Sequence, residues 1–160
     1  MEQVEPHDHS ACVDRTLSRA AEISGAKGLR LTPARKRALE ILLESHVALG
    51  AYDLLDRLKS EGLGERPVIA YRALEFLQRH GLAHRIEGLN AFVACTHPDP
   101  DHRPGFVVCR NCRSVTEANM DGASASLAKS AAEVGFKVES TVLEAIGLCN
   151  GCKDMRGEEC

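Results

Sequence analysis

Apolar positions along the chain recur mainly at helical spacing, and the breaks between them fall at glycine or proline. From about Asp14 a weak stripe runs through Leu17, Ala20, Ala21 and Ser24 and stops at Gly25. Leu31-Thr32-Pro33 then opens a second helix, with Thr32 able to cap it and Pro33 at the first helical position, where a missing N–H costs nothing. Ala34, Ala38, Ile41 and Leu42 give that helix its apolar face. A third helix is predicted from about Tyr52 to Ser60, with Leu54, Leu55 and Leu58 inward and Gly62 beyond its end. The fourth starts near Pro67, carries Ala70, Ala73, Leu74 and Leu77 on one side, and stops at Gly81. Tyr71, Arg72, Glu75, Gln78 and Arg79 are left on its outer side.

The period then shortens. Residues 83–87 and 91–94, separated by Gly88-Leu89-Asn90, read as a two-stranded hairpin. Helices followed by a hairpin describe a winged helix-turn-helix, whose last helix enters the major groove of DNA. A small helical domain with no partner gives the same pattern, but outward Tyr and Arg on a helix of small apolar residues favour DNA. Residues 95–105, CTHPDPDHRPG, form a polar, proline-rich linker that also carries metal-ligand side chains. Beyond it the pattern predicts strands over 106–108 and near Val115, a helix from about Met120 to Val134, a strand from Phe136 to about Leu143, and a cysteine-bearing tail. Strands flanking one helix make a small second body, and the class is α+β.

Composition narrows this picture. The 160 residues suit one medium domain or two small ones, and with no Trp and 4% aromatics the core must be aliphatic. No apolar run approaches the roughly 18 residues that a membrane helix needs. The polar, acidic start, whose first dozen residues are expected to be mobile, has no secretory h-region. These features predict a cytoplasmic protein with no membrane partner. The net charge of −3 is uneven: residues 27–85 carry 11 Lys/Arg against 7 Asp/Glu, and residues 86–160 carry 7 against 11. A basic block beside acidic ones fits a nucleic-acid-binding domain on a regulatory body, although chance alone also yields such a difference. Seven cysteines without an export signal point to metal ligation or thiol chemistry rather than disulfides.

Two groups of residues could hold metal. Cys109-Arg110-Asn111-Cys112 and Cys149-Asn150-Gly151-Cys152 form a CxxC…CxxC pair, whose tight turns can place four thiolates on one tetrahedral ion. Their wide separation would staple distant parts of the chain, which suits a structural zinc. Redox dithiols use the same motif, but no thioredoxin-like βαβ surrounds either pair. The second group, His84, Cys95, His102 and Glu117, supplies two nitrogens, one sulfur and one oxygen. A mixed set with one thiolate suits Zn²⁺ better than Fe²⁺ or Mn²⁺. Spacing does not select these four: His97, Asp99 and Asp101 offer equivalent local chemistry.

The segments LRLTPARKRALEIL, AYDLLDRLK, AYRALEFLQRHGLAHRIEGLNAFVAC, FVVCRNCRSVTE and EAIGLCNGC, over about residues 29–152, resemble in order and spacing those of the ferric uptake regulator family, in particular its zinc uptake regulators. The resemblance implies a homodimer built from an N-terminal winged-helix DNA-binding domain (1–94), a hinge linker (95–105) and a small C-terminal α/β dimerisation domain (106–160). It assigns one structural zinc to Cys109, Cys112, Cys149 and Cys152, and one regulatory zinc to His84, Cys95, His102 and Glu117, two per chain. Arg35, Tyr52, Tyr71 and Arg72 match positions used for DNA contact. The implied function is a zinc-responsive repressor of zinc-uptake genes, acting on operator DNA, with no small-molecule substrate. Two departures stand out. Ile69 replaces a hydroxyl-bearing residue at the start of the recognition helix, and Ser140 stands where some members have a third-site His, so no third site is expected. Cys12 and Cys160 have no assignment. An iron, manganese or peroxide sensor is the sibling alternative, against which Cys95 argues. A zinc enzyme is remote, since HExxH and HxE with PCxxC are both missing. A zinc buffer without DNA would leave the outer face of residues 71–79 unexplained.

Overall fold

The computed structural model describes residues 9–26, 28, 30–95 and 104–154, and divides into two compact units, Met1–His102 and Arg103–Cys160. In the first, four helices precede a hairpin: α1 (His9–Ala26), α2 (Pro33–Leu43), α3 (Ala51–Ser60), α4 (Pro67–Arg79), β1 (Ala83–Ile86) and β2 (Ala91–Ala94). The first helix begins at His9 rather than near Asp14. Val13, Leu17, Ala20 and Ile23 dock onto the core, and once a helix is nucleated each added residue gains a hydrogen bond at little cost.

The caps follow the sequence. Thr32 Oγ1 accepts from the Arg35 N–H at 3.4 Å, ahead of Pro33. Asp53 Oδ2 accepts from the Gly50 N–H at 3.2 Å at the start of α3. Gly81, at φ 67°, takes the left-handed conformation that ends α4, and the Leu82 N–H reaches back to the Leu77 carbonyl at 2.8 Å. Leu39, Leu54, Leu58, Leu74, Leu77 and Leu82 form the centre of the core, each 1% exposed or less. Arg37 on α2 gathers Glu40, Glu44 and Glu61, and its Nε lies 2.6 Å from Glu61 just past α3. Strands β1 and β2 pair antiparallel, with Ala83 opposite Ala94. A 3-10 turn over Glu87–Leu89 and Asn90 at φ 46° connect them. Two bonds between Leu49 and Phe92, of 2.9 and 2.8 Å, tie the hairpin to the α2–α3 connection.

The second unit contains β3 (Gly105–Cys109), β4 (Val115–Ala118), α5 (Asp121–Glu133), β5 (Glu144–Gly147) and α6 (Asn150–Asp154). The sheet order is β4-β3-β5, with β4 antiparallel and β5 parallel to β3. The strand expected over 136–143 falls instead at Glu144–Gly147. Alternation in sequence does not reveal which segment wins a neighbour, and β5 occupies the second edge of β3. Phe136 and Val142 are left exposed as a result. Only Phe106, Val108, Val115, Cys109 and Cys152 are buried hydrophobics among the described residues of this unit, and α5 buries none. No helix among the described residues is long and apolar enough to cross a membrane.

Candidate metal centres and nucleic-acid interface

Parallel pairing of β3 with β5 sets Cys109 opposite Gly147, two residues before Cys149. Two CxxC turns 40 residues apart in sequence are thereby brought to one end of the sheet. The first turn is closed by Cys109 N–H to the Ser114 carbonyl and Arg113 N–H to the Cys109 carbonyl, 2.9 Å each, with Arg113 at φ 62°. The second opens α6, where the Cys149 carbonyl accepts from the Cys152 and Lys153 N–H groups at 3.0 and 2.9 Å. The four sulfurs all lie within 4.8 Å of one another.

This set fits a tetrahedral ion. Zinc–sulfur bonds of about 2.3 Å place neighbouring sulfurs about 3.8 Å apart, and the Cys112 and Cys149 sulfurs stand 3.7 Å apart. The protein's own dipoles prepare the thiolates. Cys149 N–H points at Cys109 Sγ at 3.4 Å, and this bond, with one from the Cys112 N–H, lowers the Cys109 thiol to about 6. The Ser114 hydroxyl, 3.2 Å from Cys112 Sγ, lowers Cys112. At Cys152 the Asn111 amide, donating at 3.4 Å, favours the thiolate, but Cys149, burial and the other two thiols push it up to about 11. Four thiolates at this range repel one another, and a divalent cation removes the conflict. Asn111 and Ser114 were not singled out in sequence; their place inside and just after the first CxxC is the signal that could have found them.

Of the second group, His84 sits on β1 and Cys95 follows β2, with ligand atoms within 4.8 Å of each other. Cys95 is 1% exposed, and its N–H donates to the Leu82 carbonyl at 2.9 Å. Glu117 lies on β4 in the second unit, opposite Phe106 and half-buried. His102, and with it His97, Asp99 and Asp101, falls outside the described residues, as do Cys160 and the side chain of Cys12.

The outer face of α4 carries Tyr71, Arg72, Glu75, Gln78 and Arg79, all exposed. Arg79 is paired with Glu75 at 2.7 Å, whereas Arg72 makes no ion pair among the described residues. Tyr52 of α3 meets Tyr71 edge-on, ring centres 6.5 Å apart, and both remain largely open to solvent. Arg35 is held rather than free: its guanidinium lies 4.1 Å over the Phe76 ring and donates to the Arg30 carbonyl at 2.7 Å. Ile69 turns toward the α3–α4 connection, so close to Gly64 that a Cβ there would come within 2.9 Å of it. The residue that departs from the expected hydroxyl is thus packed against that connection.

A four-helix unit with a β wing, joined to a sheet bearing four sulfurs, is matched by known proteins. Residues 26–146 match the ferric uptake regulator family. The chain belongs to that family. It is 35% identical over 140 residues to the zinc uptake regulation protein of Escherichia coli, covering 87% of this chain and 82% of that one. Among solved structures it resembles a zinc uptake regulator complexed with zinc and DNA, with TM-score 0.83, 34% identity, and 91% of this chain and 97% of that one covered. It also resembles holo XcZur, with TM-score 0.75, 35% identity, and 89% and 99% covered. The regulator is a metal-responsive transcription factor of α+β fold and not an enzyme.

Proposed function

We propose that this regulator is a zinc-responsive repressor that, as a zinc-loaded homodimer in the cytoplasm, binds operator DNA and shuts off zinc-uptake genes. The observation that carries this reading is the buried thiol of Cys95 beside His84 at the base of the wing. A thiolate–imidazole pair favours zinc over iron or manganese, whose sites lean on oxygen. Similarity to a zinc uptake regulator complexed with zinc and DNA supports the same choice. On this reading Cys109, Cys112, Cys149 and Cys152 hold a structural zinc, while His84, Cys95, His102 and Glu117 hold the regulatory one.

Bound regulatory zinc would select one arrangement of the DNA-binding unit from many, a shift of population rather than new chemistry. Arg72 and Tyr71 would read base edges, while Tyr52 and Arg35 would contact the backbone. Pairing of two chains through the second unit is supported by the apolar residues it leaves in solvent: Val107, Leu127, Val134, Phe136, Val142 and Ile146. Val134 is 81% exposed and Phe136 68%, a poor arrangement for an isolated chain and a good one for a covered interface.

The test is fluorescence anisotropy of a labelled promoter fragment from a zinc-import gene, titrated at buffered free zinc with wild type and Cys95→Ser. Zinc should tighten wild-type binding about tenfold or more, roughly 1.4 kcal/mol of coupling, and the variant should lose that response while staying folded. A response to iron or manganese in place of zinc would move the regulator to a sibling class. Binding that ignores all metals would refute the reading.

A further inference from the structure

Thr16 is the single fully buried polar side chain among the described residues, at 0% exposure. It lies on the inner face of α1, with Val13, Leu17, Ala20 and Ile23, where packing alone would call for an aliphatic residue. A threonine within a helix commonly returns its hydroxyl to its own preceding turn. Here the Oγ1 donates across 79 residues of sequence to the Cys95 carbonyl, at 3.3 Å. The Cys95 N–H is already engaged with the Leu82 carbonyl at 2.9 Å. Both backbone polar groups of Cys95 are therefore held, one by the α4–β1 connection and the other by α1.

We propose that Thr16 is a positioning residue for the regulatory metal: its hydroxyl fixes the backbone of Cys95 and so aims the sulfur toward the His84 imidazole before any ion arrives. The proposal rests on the reading of His84 and Cys95 as metal ligands. Cys95 directly follows the last residue of β2, and its N–H bond to Leu82, next in register to the Ala83–Ala94 pair, leaves its carbonyl to be held from α1. The Cα–Cβ direction of such a residue is set by whatever holds its peptide groups. A ligand ordered in advance loses less freedom on binding, and partners of this kind typically change metal affinity by about 10–100-fold when removed. The first helix, none of whose described side chains is a ligand on that reading, would in this way set the metal concentration to which the regulator responds.

The experiment uses the full-length chain with its tetrathiolate site filled with zinc, titrated with Co²⁺ against a competing chelator. Wild type, Thr16→Val, Thr16→Ser and Cys95→Ser run side by side, read by the sulfur-to-cobalt charge-transfer band and by the affinity. Thr16→Val keeps the shape and removes the hydroxyl. It should weaken Co²⁺ binding about tenfold or more and alter the band, while Thr16→Ser stays at wild type. Thr16→Ala carries the same expectation as Thr16→Val, so failure of one variant to fold does not decide the question. A merely structural hydroxyl would lower the melting temperature and leave the affinity and band of the folded protein unchanged, which overturns the proposal. Thr16→Ser behaving like Thr16→Val overturns it too. If Cys95→Ser itself binds Co²⁺ as wild type does, the ligand assignment has failed and the proposal falls with it, an outcome recognisable because the reference variant is then silent.

Discussion

Removing the metal from the four-cysteine site should unfold the second unit while leaving the first intact. The buried apolar side chains of the second unit are Phe106, Val108 and Val115. At about 1.5–3 kcal/mol each, they supply no more than roughly 9 kcal/mol of burial. A structural zinc contributes roughly 10 kcal/mol or more by itself, so the ion is worth at least as much as the whole apolar core around it. The first unit has an independent core centred on Leu39, Leu54, Leu58, Leu74, Leu77 and Leu82, and needs no such support. The assay is amide hydrogen exchange by mass spectrometry before and after stripping with a strong chelator, alongside Cys109→Ser. Peptides from 105–154 should lose protection in both cases, and peptides from 33–94 should retain it. Retained protection over 105–118 and 144–152 in metal-free protein would refute the reasoning, since the sheet would then stand on its apolar core or on a partner chain alone.

Four further outcomes are expected. Leu58→Ala, at a site with 0% exposure, should destabilise the first unit by about 2–5 kcal/mol in chemical denaturation. Arg37→Ala releases Glu40, Glu44 and Glu61 together and should cost about 1 kcal/mol by thermal melting. The Arg37 guanidinium holds Glu61 below the ordinary carboxylate range, so the share that Glu61 contributes is complete above that range and disappears as pH falls through the lowered value. The difference between wild type and Arg37→Ala should therefore narrow in acid. Arg72→Ala should cost about 1–3 kcal/mol of operator binding and relax base preference, whereas Arg35→Ala should weaken all sequences alike and reduce the salt slope by about one. Bonds from the Cys149 and Cys112 N–H groups hold the Cys109 thiol low, at about 6, whereas at Cys152, despite the Asn111 amide, Cys149, burial and the other two thiols push it up to about 11. At pH 7 metal binding must displace the Cys152 proton, so affinity for the site should rise with pH, measurable by competition titration at pH 6.5 and 8.

Helices α2, α3 and α4 were legible because each carries its own punctuation. Thr32-Pro33, Gly62 and Gly81 mark ends by local chemistry, and the leucines between them report one face at a time. The hairpin was equally local. The second unit was harder to read because its elements are defined by partners far away in sequence. The apolar alternation of residues 136–143 resembles a strand, but strand status belongs to 144–147, which hold the edge of β3. The four-cysteine site was legible as a donor set from two repeated spacings, yet the Asn111 and Ser114 contacts that tune it depend on side-chain placement. Thr16 gave no signal, because a threonine on an apolar helical face is unremarkable until its hydrogen-bond partner is known.

The sheet of the second unit also explains why sulfur and register belong together. Its strands are only four or five residues long, and Val107 and Ile146 are exposed. Hydrophobic burial, which ordinarily fixes register, acts weakly on such a sheet, and a slip of one residue would reverse the face shown by every side chain of β5. Cys109 ends β3, and Cys149 lies two residues beyond its partner Gly147. Displacing β5 by one position would carry Cys149 about 3.3 Å along the strand direction, more than a metal–sulfur bond length, and the four sulfurs could no longer share one ion. Binding of metal would therefore select the observed register against its neighbours. In this unit a bound ion would substitute for the core that would otherwise specify the fold.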